Sequence, residues 1–224
     1  MANASTTGFG LRMVMNVGNT PATSGQSEYK IQTAPGVASN KGDPMNIQDA
    51  GNVGFIQDVA FTTLDNGGVG GTAWSTAGGN AEPGCIGVFN GAFFIDSTGK
   101  PTFANNVVAS QATSKDYNTG SNDIIAFVND NPMQEYVVKA DAQLAATVAG
   151  AQAILGAANA MNMNNYTATD NKDGQSISTL DVASASTTAQ FRLVRNANDP
   201  ENKDLTAAGA NIIVQFLPSS MLYN

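Results

Sequence analysis

Apolar and polar positions alternate along this chain in short bursts. EYKIQTA (28–34) puts Tyr29, Ile31 and Thr33 on one side of an extended segment, and QEYVVKAD (134–141) does the same with Tyr136, Val138 and Ala140. A two-residue period marks a strand with one face on a core. PMNIQ, VGFIQDVAFTTL, CIGVFNGAFFI, DIIAFVND, SISTLDV, AQFRLVRN and NIIVQFL are rich in Val, Ile, Phe and Thr, and turn formers such as GDP, DAGN and DNGGVGG lie between the early ones. They predict further strands. IDSTGKPTF (95–103) predicts a hairpin around Gly99 and Pro101. The phasing predicts a core containing Phe55, Ile56, Val88, Phe127, Val138, Phe191, Leu193, Ile213 and Val214.

One segment supports two readings. AQLAATVAGAQAILGAANAMNM (142–163) spaces Leu144, Val148, Ala151, Leu155 and Ala158 as a helix does and is rich in Ala. Gly150 and Gly156 oppose that, at about 1 kcal/mol each inside a helix. The stretch beginning at Glu135 also aligns with the one beginning at Glu28: each has an alternating strand, a loop of small residues, a Gly turn (Gly42 or Gly150) and a second apolar run. We therefore read strand, loop, strand here, with 28–48 and 135–156 as equivalent strand pairs. The expected fold is mainly β, with barrel- or sandwich-like antiparallel modules and an extended N-terminal arm. The division is an arm over 1–27, a first β module over 28–110 with a Gly-rich loop at 65–84, and a second β module over 111–224.

Composition narrows the chemistry. The chain has no histidine, which removes Ser-His-Asp and Cys-His nucleophile activation and histidine metal ligation. Its one cysteine, Cys85, cannot form an intrachain disulfide or a thiolate zinc site and reads as a small buried hydrophobe. Ten Lys and Arg against 18 Asp and Glu give a net charge of -8, which repels phosphate backbones, so no nucleic-acid partner is expected. No basic and apolar leader opens the chain and no run approaches a membrane span, so synthesis in the cytoplasm without a membrane partner is expected.

Local motifs fail on residue type. TDNKDG (169–174) has Thr169 where a calcium loop needs a carboxylate and Leu180 where it needs a bidentate Glu. NGGVGG (66–71) lacks the Lys of a phosphate cradle. The carboxylate pairs Asp49 with Asp58 and Glu201 with Asp204 read as solvated turns. Trp74, alone in the Gly-rich loop, reads as a plug for a groove of its own fold more than as a ligand platform.

GFGLR near the N-terminus, EYKIQTA, KGDPMNI, GVFNGAFFIDSTGKPTF, DIIAFVNDNP with EYVVKAD, and FRLVRNANDPEN with NIIVQF together resemble the head decoration, or capsid cement, proteins of tailed bacteriophages. The family's proline after the FGLR-like run is replaced here by Met13, and the central loop is longer and richer in glycine. The resemblance implies a β-barrel-type structural protein, not an enzyme, on the outer capsid surface of the virion. There it would stabilise the head by bridging subunits of the major capsid protein, with neighbouring copies of itself as further partners and no cofactor or metal.

The capsid-contact candidates are Phe9, Leu11, Arg12, Met13, Val14, Met15 and Trp74. Gly8, Gly10, Gly18 and Pro21 interrupt the apolar arm, so it is expected to add a strand to a neighbouring subunit or to lie in a capsid groove, with Arg12 pairing an acidic group there. The competing reading makes the arm the first strand of its own barrel. An alternative function is a glycan- or receptor-binding tail or fibre module, which needs Trp74, Phe93, Phe94 and Tyr117 as an exposed aromatic platform.

Overall fold

The computed structural model describes residues 2–18, 20–21, 26–31, 39–47, 55–58, 85–96, 98–107, 124–155, 160–164, 174–186, 191–218 and 221. In chain order these hold β1 (Arg12–Asn16), β2 (Thr20–Pro21), β3 (Ser27–Ile31), β4 (Ser39–Asn40), β5 (Pro44–Ile47), β6 (Phe55–Asp58), β7 (Cys85–Ile95), β8 (Pro101–Ala104), β9 (Asn106–Val107), β10 (Ile124–Asn129), β11 (Gln134–Lys139), α1 (Val148–Ile154), β12 (Ala160–Asn164), β13 (Thr179–Ser186), β14 (Phe191–Asn196) and β15 (Asn211–Phe216). The fold is mainly β and largely antiparallel.

Five strands close into a barrel. Their order is β10-β3-β6-β5-β7, and β7 pairs back onto β10. Only the β3–β6 pair is parallel. The length of β7 makes closure possible: one edge runs along β10, while the other carries β5 at its start and β8 at its end. Closure leaves no unpaired edge to manage within the ring. Met45, Ile86, Phe89, Ala92, Phe94, Ile124, Ala126 and Val128 fill it. The alternation in β10 is explicit, since Ile124, Ala126 and Val128 are buried while Ile125 and Phe127 are half-buried.

The second layer is a seven-stranded antiparallel sheet, ordered β13-β12-β14-β15-β11-β1-β2. Its inner face contributes Tyr136, Val138, Phe191, Leu193, Ile212, Val214 and Phe216, which pack with Cys85 and Val88 from the outer side of barrel strand β7. Each large side chain buried in this layer contributes about 1.5–3 kcal/mol. Tyr136 meets Phe216 edge-on at 5.7 Å, and Phe191 meets Phe216 at 4.6 Å. The predicted core holds at Val88, Val138, Phe191, Leu193, Ile213 and Val214, all buried. Phe127 is half-buried, and the side chains of Phe55 and Ile56 lie outside the described residues.

A short turn, Asn40 to Asp43, ties the two layers together. Gly42 N donates to Phe89 O (2.8 Å) in the barrel, and Leu11 N donates to Gly42 O (2.9 Å). Lys41 N donates to Asn105 O (2.8 Å) and Gly174 O (3.0 Å), while Ser176 N donates to Lys41 O (2.8 Å). Gly42 adopts φ 100°, a conformation that suits glycine.

Three expectations are corrected. The segment after β11 is not a second strand: residues 148–154 form α1, with Thr147 as N-cap and its Oγ1 accepting from Gly150 N (3.1 Å). Gly150 costs less than an interior glycine because it lies in the first turn, where the cap satisfies its N–H. The two Glu-Tyr segments are likewise not equivalent strand pairs. β3 pairs with β10 and β6 in the barrel, whereas β11 pairs with β1 and β15 in the other sheet. Finally, the arm packs in cis, with β1 antiparallel to β11 of its own chain and Leu11 at 3% exposure in the core. It joins the seven-stranded sheet and not the barrel. Within the described residues, β10, from beyond residue 110, completes the barrel.

Candidate interaction surfaces

The arm is stitched down from Asn3 onward. Asn3 Nδ2 donates to the carbonyls of Asp204 (3.0 Å) and Ala208 (2.8 Å), and Asn3 Oδ1 accepts from Asp204 N (3.0 Å). Ala4 N donates to Glu201 O (3.1 Å), and Gly10 N to Ser178 O (3.0 Å). At Gly8 the backbone passes so close to the Ile177 and Ser178 carbonyls that a Cβ would collide with both. Phe9 receives two cations, with the Arg12 guanidinium 4.4 Å and Lys139 Nζ 5.7 Å from its ring centre. Burial pulls the Lys139 pKa down, and the positive charge of Arg12 adds to that.

The contact candidates therefore separate. Leu11 belongs to the core and is not available to a partner, and Phe9 and Met15 are half-buried. Arg12 is exposed, and its Nη2 donates to Gln175 Oε1 (3.0 Å) within the chain. Trp74 lies outside the described residues. Met13 (36% exposed), Val14 (37%) and Val17 (38%) remain outward, joined by Met133 (55%). Val17 N donates to Met133 O (2.9 Å), which makes the last two neighbours. Val14 is the extra residue of a bulge, because Met13 faces Tyr136 and Met15 faces Glu135. β2 covers β1 only at Met15 and Asn16, so among the described residues the outer edge at Arg12 to Val14 pairs with no strand. Arg195 braces this strand from behind, with Nη2 2.6 Å from Glu135 Oε2 and 3.2 Å from Met15 Sδ.

Between β1 and the barrel lies a crevice of about 260 Å3, lined by Phe9, Arg12, Met13, Lys41, Phe89 and Asn129 among others. Among the described residues the buried Asn129 Oδ1 has no hydrogen-bond partner. Nearby, burial raises Asp43 to a pKa of about 6 despite hydrogen bonds from Ser176 and Asn40 that oppose the shift. Cys85 is fully buried and its thiol is pushed up to about 12, so it is an inert core side chain.

Asp96 and Asp204 cap turns. Asp96 Oδ1 accepts from Thr98 N (2.8 Å) and Lys100 N (3.0 Å), which builds the predicted β7–β8 hairpin with Gly99 at φ 83°. Asp204 Oδ1 accepts from Thr206 N (2.9 Å) and Oγ1 (2.7 Å). Among the described residues no group of three or more His, Cys, Asp or Glu could hold a metal ion, and no helix is long and apolar enough to cross a membrane. Asp49 and residues 169–173 lie outside the described residues.

One member of the aromatic platform expected for a glycan-binding module is not exposed. Phe94 is buried inside the barrel and Phe93 is half-buried, while Trp74 and Tyr117 lie outside the described residues. Phe103 instead stands 75% exposed, 4.8 Å from Phe93 and 6.3 Å from Phe127 between ring centres. Reading PTF only as a hairpin arm hid Phe103. Its parity across the Gly99 turn, opposite Phe93, is the signal that places it on the outer face.

No family model, curated protein or solved structure matches the chain.

Proposed function

We propose that the protein is a virion structural protein that decorates and stabilises a bacteriophage capsid by bridging subunits of the major capsid protein. The observation that carries this reading is the open apolar edge of β1. Met13, Val14, Val17 and Met133 are exposed together beside strand backbone that pairs with no other strand among the described residues. Such an edge is a template for strand addition by an extended segment of a partner. It is also rigid, because Leu11, Asn3 and Arg195 fix the arm to its own sheet. A pre-ordered edge docks without the ordering cost of a disordered arm. Many such contacts acting together resist opening of the shell, since loosening one joint requires several to release at once.

Heads lacking this protein, incubated with it and sedimented, test the reading. Wild-type protein co-sediments, and the Val14→Lys variant, which places a charge on the open edge, loses most of that binding while its thermal unfolding is unchanged. Undiminished co-sedimentation of Val14→Lys removes the β1 edge from the interface, and failure of the wild type to bind heads removes the function.

A further inference from the structure

The barrel wall carries a second surface that the β1 edge does not use. Phe103 on β8 sits directly opposite Phe93 on β7, and Phe127 on β10 sits opposite Gly91 two positions along. Gly91 contributes no side chain, so Phe127 and Phe103 approach each other across β7 with their rings within 18° of parallel. A Cβ at Gly91 would come within 3.0 Å of Ala104 O, and its φ of 132° is one that other residues rarely adopt. Glycine there makes the floor of a concavity of about 200 Å3, with Phe103 and Phe127 as walls and Asn90 and Asn105 at its rim. Asn90 is the extra residue that β7 inserts opposite the step from Phe127 to Val128.

We propose that this concavity binds a neutral oligosaccharide. A sugar ring presents an apolar C–H face that packs on an aromatic ring and hydroxyls that pair with side-chain amides, and this lining offers both. None of the lining residues among those described is charged. A nucleic-acid strand also stacks on aromatic rings but needs cations along its backbone, and a chain of net charge -8 repels it. An acidic glycan meets the same repulsion. Strand addition by a second copy is disfavoured as well: β8 is four residues long and begins with Pro101, which has no N–H to donate. A saccharide needs no backbone ladder, and the exposed Phe103 ring supplies area for it without rearrangement of the fold.

The probes are an array of immobilised neutral and acidic oligosaccharides, then titration of the neutral binders in solution, with an acidic heparin tetrasaccharide and a thymidine 15-mer as comparators. At least one neutral oligosaccharide binds and shifts the ring resonances of Phe103 and Phe127. Phe103→Ala weakens it tenfold or more, and Asn105→Ala weakens it severalfold. Both residues are exposed, so both variants unfold as the wild type does and still co-sediment with heads. The proposal is overturned if no neutral oligosaccharide binds, if only the acidic probe or the 15-mer binds, or if Phe103→Ala binds as the wild type does. A concentration-dependent dimer that Phe103→Ala abolishes, with no saccharide bound, makes the face a self-contact and also overturns it. Because head binding is read separately, failure here leaves the capsid reading standing, and the reverse holds too.

Discussion

Asp43 is a buried carboxyl whose ionisation the fold alters. It sits 7% exposed under the turn that joins the two layers, accepting from Asn40 N at 2.8 Å. Burial raises its pKa from 3.8 to about 6. Between those values the folded protein holds a proton that the unfolded chain has released, so stability falls as pH rises through that window. The contribution at stake is on the order of 2–3 kcal/mol. Hydrogen bonding lowers the pKa values of Asp96, Asp199 and Asp204, so their contribution acts the other way and is lost only under more acidic conditions. Denaturant midpoints measured from pH 4 to pH 7.5 therefore fall with rising pH in the wild type. In Asp43→Asn that slope flattens; a slope unchanged by the substitution means that Asp43 titrates normally.

At the scale of elements, the arm and α1 show where local pattern stops being decisive. β11 is legible from the alternation of Tyr136 and Val138, and β15 from its apolar run Ile212 to Val214, buried throughout. Pairing is not, because β3 and β11 share a pattern while their partners lie far away in sequence. α1 is a near tie of propensities that Thr147 decides, its Oγ1 accepting from Gly150 N. The arm looked unable to fold alone, and it does not: Leu11 needs Tyr136, Val138 and Leu193, all supplied from beyond residue 130. Of the candidate surface, the exposed pair Met13 and Val14 was legible, whereas Phe103 needed the β7–β8 register. Truncation tests the cis packing of the arm. Leu11→Ala lowers the stability of the isolated protein by about 2–5 kcal/mol, as for other buried leucines. An unchanged denaturant midpoint means that the arm is not part of its own core. Gly8→Ala, which drives a methyl group into the Ile177 carbonyl, costs about 1–3 kcal/mol by the same assay.

For the whole molecule the question is whether barrel and sheet behave as one body, since the capsid role proposed above requires that load pass through the protein without its layers parting. β7 answers structurally, being barrel wall on one side and part of the inter-layer core on the other. Ile86, Phe89, Ala92 and Phe94 face the barrel interior, while Cys85 and Val88 pack with the sheet. Parting the layers would expose Cys85 before the barrel strands unpair. The chain's only cysteine is thus a built-in reporter at the seam, silent while buried. Thiol labelling with a disulfide reagent, followed across a denaturant series beside far-ultraviolet circular dichroism, reads the two events separately. Coupled layers give one transition, with Cys85 becoming reactive at the midpoint where strand signal is lost. Labelling at clearly lower denaturant, with the strand signal intact, would show that barrel and sheet separate first, and the load path through β7 would then be broken before either layer unfolds.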